Sequence, residues 1–380
     1  MFPMCHFIKI NIDYINMEAD IFCKIIDNYG DIGFCWRLAK HLSCEYKWSI
    51  RLIVDDLCAF SCIEKTLDIS ANSQIVQDIN IMKWNVSLEN SLTPSDIILE
   101  TFSCDIPNAF KKIMLLDIRR FIWINIEYLS AEQWVEDCHL LSSNLSNGLK
   151  KTFFFPGFTS KTGGLIVEQD FLKNKKSLKE SIYNQEDFLK SLGIKHKRSE
   201  FLFCLLFCYP DAPVNDLIRS MKLLNKKIVL IANDQSLFIN ANSTNNLKLV
   251  LIPFIDQDSF DKLICCMDIN FIRGEDSFVR ALLSGNPLIW NIYKQENNTH
   301  IDKLKSWLNL NSFPVTIKKV MYSWNNFGEE GLINAIEKAM SKENWNSWKD
   351  YSRIISEKQI SNKSLGKNLV EFCTSQQKQR

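Results

Sequence analysis

Two acidic residues four positions apart, Asp27 and Asp31, stand with two glycines in the run Asp27-Asn28-Tyr29-Gly30-Asp31-Ile32-Gly33. The run follows an apolar stretch, Ile21–Ile26, that reads as a buried strand, and precedes an amphipathic stretch from Phe34 to Leu42 that reads as a helix. A tight turn at the carboxyl end of a first strand is where open α/β sheets bind their ligands. Glycine-rich first turns commonly cradle phosphate, but two carboxylates repel an anion and attract a cation. The predicted ligand is therefore positively charged or proton-donating, held by one acid and deprotonated by the other. Turn formation alone also accounts for Asp and Asn in such a loop.

A second constellation lies between Phe271 and Trp290. A strand ends at Arg273-Gly274, a helix begins near Asp276-Ser277, and a further strand starts after Gly285. This is the usual shape of a nucleotide-sugar site in a glycosyltransferase built of two Rossmann-like halves. An acid of this run would bond ribose or sugar hydroxyls. The helix start at Asp276 and Ser277 would offer N–H groups to a diphosphate, and Arg273 a bidentate contact. Phe254 and Gln257 follow the strand Leu247–Ile252, where a ring can stack on a nucleobase and an amide can read its edge. Phe207 and Tyr209 close another strand of the same half, while Tyr293 and Gln295 follow Pro287–Trp290 as candidates for phosphate contact. Helix capping by Asp276 and Ser277, and aromatic side chains in the core, are the plainer alternatives.

The elements that would position both loops alternate as an α/β layer fold requires. Strands are predicted at Ile21–Ile26, Ser49–Val54, Ile97–Leu99 and Phe121–Asn125, with helices at Phe34–Glu45, Leu57–Thr66 and Asp105–Leu115. A helix capped by Ser130 with Gln133 in the capping box follows, then an aromatic loop over Phe153–Phe158. A second alternating series runs from Phe201 to Trp290, and the stretch from Phe327 to about Thr374 reads as helical throughout. The predicted organisation is a disordered extension over 1–16, an acceptor-binding half over 17–173 and a linker over 174–197. A nucleotide-sugar half follows over 198–354, and a terminal helix, about 355–380, is expected to rejoin the first half.

The whole chain bounds the function. Its 380 residues, 46% of them hydrophobic, suffice for two cores, and 45 Lys and Arg against 44 Asp and Glu leave a net charge of +1. That balance speaks against a general nucleic-acid binder. The longest apolar run, Phe201–Cys208, is too short to span a bilayer, and no cleavable signal pattern is visible, so a cytoplasmic protein without a membrane partner is expected. None of the 13 cysteines forms Cys-x-x-Cys, and the 5 histidines are scattered, which points to buried thiols in a reducing compartment and to no metal.

With both loops read, the chain resembles the elongation factor P arginine rhamnosyltransferases, a bacterial family of inverting glycosyltransferases. The resemblance rests on Asp20 through Gly33 with Cys35-Trp36-Arg37-Leu38-Ala39, and on Val54-Asp55-Asp56-Leu57. It continues in Trp123-Ile124-Asn125-Ile126-Glu127-Tyr128-Leu129-Ser130, Phe153 through Thr159, and Arg273 through Ala281. It implies a GT-B fold, a dTDP-β-L-rhamnose donor, an arginine of elongation factor P as acceptor, and no metal or other cofactor. The family's paired aspartates match Asp27 and Asp31. Its donor motif matches Arg273, Glu275, Asp276 and Ser277, and its base and ribose contacts match Phe207, Tyr209, Phe254 and Gln257. The chemistry agrees: a guanidinium is a poor nucleophile that two carboxylates can hold and deprotonate. Asp31 is the expected base and Asp27 its orienting partner, with Glu275 at the ribose or the guanidinium. Two rivals remain at this point, a GT-B transferase acting on a lipid or glycan, and a non-catalytic translation-associated protein of the same fold.

Overall fold

The computed structural model describes residues 17–26, 29–85, 92–117, 121–145, 148–239 and 241–378; the expected extension over 1–16 and the candidate Asp27 lie outside them. The first half runs β1 (Glu18–Cys23), α1 (Gly30–Tyr46), β2 (Ser49–Val54), α2 (Leu57–Ile63), β3 (Ser73–Val76), β4 (Ile79–Lys83) and β5 (Ile97–Thr101). It continues with α3 (Asn108–Leu116), β6 (Ile122–Ile126), α4 (Trp134–Cys138), β7 (Ser142–Asn144) and β8 (Lys150–Phe154). Helices α5 (Gln169–Glu180) and α6 (Ile182–Ser191) lead to β9 (Leu202–Leu206), α7 (Val214–Leu223), β10 (Ile228–Ala232), β11 (Leu247–Leu251) and α8 (Gln257–Cys266). Then come β12 (Ile269–Arg273), α9 (Asp276–Ser284), β13 (Leu288–Asn291) and the helices α10 (Thr299–Leu310), α11 (Val315–Trp324), α12 (Leu332–Ala339), α13 (Lys342–Ser361) and α14 (Leu365–Lys378).

The first sheet has the order β3-β4-β2-β1-β5-β6-β8-β7, and the second β11-β10-β9-β12-β13. The second is wholly parallel, whereas β3 and β7 cap the edges of the first in antiparallel sense. Near-continuous apolar strands such as β5, β6 and β10, buried at every residue, suit parallel sheets covered on both faces. Alternation divides β1: Ile21 and Cys23 enter one cluster with α1, and Phe22 enters the opposite one with Ile98 and Phe110. The second sheet shares a core with α10 to α13, anchored by Trp290, Trp307, Trp324 and Trp348.

Several boundaries differ from the sequence reading. Helix α1 begins at Gly30 rather than Phe34, so Asp31 belongs to its first turn. The aromatic stretch expected as a loop starts as strand β8, which pairs with β6 and β7. Ser130 caps no helix: its hydroxyl accepts from Glu132 N at 3.1 Å in a local turn, and α4 starts only at Trp134. The expected linker, 174–197, is largely helical, with Leu178 and Leu189 packing on the second core beneath an otherwise charged surface. The terminal stretch is broken near Ser341 and Asn362 into separate helices.

The last of these, α14, buries Leu365, Leu369, Val370 and Cys373 in the core of the first sheet rather than the second. Close approach is possible because residue 366 lacks a side chain: a Cβ on Gly366 would stand 2.4 Å from His41 Nε2.

Candidate active site

The site is built where strand ends of the two sheets face each other. Asp31 follows β1, Phe102 follows β5 and Tyr128 follows β6. Opposite them, Gly274 and Glu275 follow β12, and Tyr293 and Gln295 follow β13. All seven line one open cavity of about 180 Å³. A second cavity of about 90 Å³ takes Phe207, Phe254, Gln257 and Ser277 from the second half and Tyr29 and Gly33 from the first, and Asp276 borders both. Arg273 and Tyr209 line the groove between. Every candidate among the described residues therefore falls in one continuous cleft.

On the acceptor side, Asp31 Oδ2 accepts from Ile26 N at 2.7 Å, which ties the first turn of α1 to the segment leaving β1. Its Oδ1 lies 3.4 Å from the Tyr128 hydroxyl. The Tyr128 ring stacks on Phe102 with centroids 4.3 Å apart and planes at 10°. Phe102 and Ser103 both adopt left-handed backbone, with φ of 55° and 52°, a conformation costly for non-glycine residues and frequent at functional sites. Ser103 is fixed there by bonds to Asn125 and Glu127. Burial raises the Glu127 carboxyl above its ordinary range, against the pull of the Ser103 hydrogen bond.

On the opposite side, β12 turns into α9 through Gly274, whose φ of +70° favours glycine, and Trp290 Nε1 donates to its carbonyl at 2.8 Å. Glu275 precedes α9 without capping it. Its carboxylate instead accepts from Leu129 N at 2.7 Å across the cleft and pairs with Lys303 of α10. The Arg273 guanidinium lies over the rings of Phe207 and Tyr209, at 4.6 and 5.1 Å, and Nη1 donates to Cys208 O. Phe254 is half exposed and meets Tyr29 with ring centroids 5.6 Å apart.

Two candidates are engaged differently from expectation. Asp276, expected at the helix start that meets the diphosphate, has both of its oxygens held by Arg37, Nε to Oδ1 at 2.8 Å and Nη2 to Oδ2 at 3.2 Å. Burial works to raise the Asp276 carboxyl, yet the charges of Arg37 and Arg280 keep it below its ordinary range. Gln257, assigned to a base edge, donates through Nε2 to Gly33 O at 3.0 Å, stitching α8 to α1. Tyr293 meets Tyr209 edge-on, and Gln295 accepts from Thr299 Oγ1 at 3.2 Å; both still border the larger cavity.

Arg37, Phe102, Tyr128 and Lys303 were given no role in the sequence reading. Arg37 had a local signal, a charged residue on the buried face of α1 between Trp36 and Leu38. Lys303 had none, since its helix packs by its apolar stripe and only the fold carries it to Glu275. Among the described residues, no group of three or more His, Cys, Asp or Glu is placed to hold a metal ion. No helix among them is long and apolar enough to cross a membrane.

Two Rossmann-like sheets that contribute strand-end loops to a shared cleft define a GT-B glycosyltransferase architecture. The fold matches glycosyltransferase VinC in complex with DTDP with a TM-score of 0.53 at 8% identity, over 95% of this chain and 100% of that one. A structure described as the basis for EarP-mediated arginine glycosylation of translation elongation factor EF-P matches with a TM-score of 0.62 at 24% identity, over 94% and 99%.

The chain belongs to the Elongation-Factor P (EF-P) rhamnosyltransferase EarP family, whose profile matches residues 19–374. It is 33% identical to the protein-arginine rhamnosyltransferase of Pseudomonas aeruginosa, over 93% of this chain and 98% of the relative. It is 37% identical to that of Pseudomonas putida, over 76% and 80%. The family expected from the two loops is the family found.

Proposed function

We propose that the chain transfers L-rhamnose from dTDP-β-L-rhamnose to an arginine side chain of elongation factor P, with inversion at the sugar carbon. The observation that carries this reading is that Asp31 of one half and Glu275 of the other border a single cavity walled by the Phe102–Tyr128 stack. A planar guanidinium fits between aromatic faces and carboxylates, which offer it stacking and charge-assisted hydrogen bonds together. In the proposed step a guanidinium nitrogen attacks C1 of rhamnose while the bond from C1 to the diphosphate oxygen breaks. The nitrogen's proton passes to the Asp31 carboxylate, and dTDP leaves with the bonding pair. Asp27 is proposed as the orienting partner of Asp31, and Glu275 as a second anchor for acceptor or donor.

On the donor side, Phe207, Tyr209 and Phe254 are proposed to receive the nucleoside, with Gln257, Tyr293 and Gln295 on its borders. Arg273, Ser277 and the N–H groups opening α9 are proposed to meet the charge of the leaving diphosphate without a metal. The cysteines buried in both cores suit the reducing cytoplasm proposed as the location. Incubation of elongation factor P with the protein and dTDP-rhamnose tests the reading by mass spectrometry. A gain of one deoxyhexose on a single arginine is expected, and an unmodified acceptor in the presence of bound donor refutes it.

A further inference from the structure

Helix α9 presents its amino end to the cleft, and its first residue is an acid. A carboxylate at that position complements the helix dipole but opposes the binding of a diphosphate at the same tip. The countercharge comes from the other half of the molecule. Arg37, only 1% exposed, reaches from α1 to grip Asp276 with Nε and Nη2. Its remaining donors hold Asp261 of α8 at 2.7 and 3.1 Å, and Glu168, before α5, at 3.3 Å. Arg280 of α9 is the second cation of the group and pairs with Glu168 as well. Two arginines thus face three carboxylates, and Arg37 is the member that neutralises Asp276 directly. It is carried on the helix whose first turn holds Asp31, fewer than two turns away.

Resting on the donor reading above, we propose that Arg37 is a positioning residue of the donor site. By neutralising and orienting Asp276 from across the cleft, it makes the tip of α9 hospitable to the diphosphate of a nucleotide sugar. The anion site is then complete only when the two halves are docked. The helix that delivers the proposed base also sets the charge of the leaving-group site. Arg37 touches no substrate in this scheme; it acts through Asp276.

The test compares dTDP with thymidine, which shares the nucleoside and lacks the phosphates, using full-length protein and four variants. Calorimetry for dTDP and ligand-observed NMR for thymidine give the affinities, and thermal melting reports folding. Arg37→Gln is expected to weaken dTDP by about tenfold or more and thymidine by less than about twofold, because only the phosphates sense the exposed acid. Arg37→Lys, which keeps the charge, should lose clearly less. Asp276→Asn alone should bind dTDP no more weakly than wild type, and Arg37→Gln with Asp276→Asn should recover most of the lost affinity. If Arg37→Gln does not fold, the Lys and Asn variants decide. Equal loss of both ligands in any Arg37 variant, or loss of dTDP on Asp276→Asn, overturns the inference. Unaltered dTDP binding by Arg37→Gln does so as well. Wild-type protein that fails to bind dTDP overturns the donor reading itself.

Discussion

Replacing Asp31 by Asn removes one negative charge from the cleft while sparing the local architecture. The carboxylate accepts the Ile26 N–H at 2.7 Å, a bond that an amide oxygen in the same place can keep. Exchanging a charge-assisted for a neutral bond costs about 1 kcal/mol of stability, so the variant should melt only slightly below wild type. The amide cannot take the guanidinium proton. Loss of a positioned base lowers turnover by about 10²–10⁴-fold, or about 3–5.5 kcal/mol at about 1.4 kcal/mol per decade. Donor affinity should stay within about twofold, because Asp31 lies on the opposite wall from Arg273 and Ser277. The assay follows acceptor mass under saturating donor and acceptor, with dTDP affinity from calorimetry and folding from thermal melting. Turnover within about tenfold of wild type, in a variant that folds and binds dTDP, would refute the assignment of Asp31 as base.

Arg273→Ala removes a cation that rests on Phe207 and Tyr209. It should weaken dTDP by about 10- to 100-fold, in line with loss of a charge-assisted contact of about 1.5–3 kcal/mol, and unchanged titration isotherms would exclude the contact. Gly274→Ala meets little steric obstruction, since an added Cβ would stand 3.8 Å from the Tyr209 hydroxyl. Its cost is therefore the left-handed backbone itself, about 1 kcal/mol, and an equal or higher denaturation midpoint would contradict it. For His139, burial depresses the imidazole from 6.5 to about 4, and Nδ1 already accepts the Phe155 N–H at 3.1 Å. The unfolded chain takes up a proton that the native ring refuses, so stability is full above about pH 6.5 and is lost as pH falls toward 4. Allowing for solvent screening of a partly exposed ring, the loss is up to about 2 kcal/mol. Urea unfolding across that window should show the slope in wild type and a flatter one in His139→Asn, and parallel slopes would rule the residue out.

Both loops of the site were legible because each sits between a strand and a helix whose apolar periodicity is unmistakable. Boundaries were less so. Gly30-Asp31-Ile32-Gly33 reads as a turn by composition, yet packing of Ile32, Cys35 and Trp36 in the first core draws it into α1. The β3–β4 hairpin escaped notice because its turn uses Gln77 and Asp78 in left-handed conformation, without the glycine that usually marks such a site. The roles of Arg37, Asp276 and Gln257 were beyond sequence reasoning for a different cause. Arg37 meets partners 131, 224 and 239 residues away, and no local pattern encodes a charge balance assembled from such distant segments.

The docking of α14 on the first sheet bears on how the chain is made. A ribosome delivers β1 to β8 long before it delivers Leu365, Leu369 and Val370, and throughout that interval the face they will cover is wet. The early half must wait, collapsed but unsealed, for this much later stretch to be translated. Premature termination ahead of Leu365 would thus strip cover from the half that carries Asp31, although the lost codons lie far downstream of it.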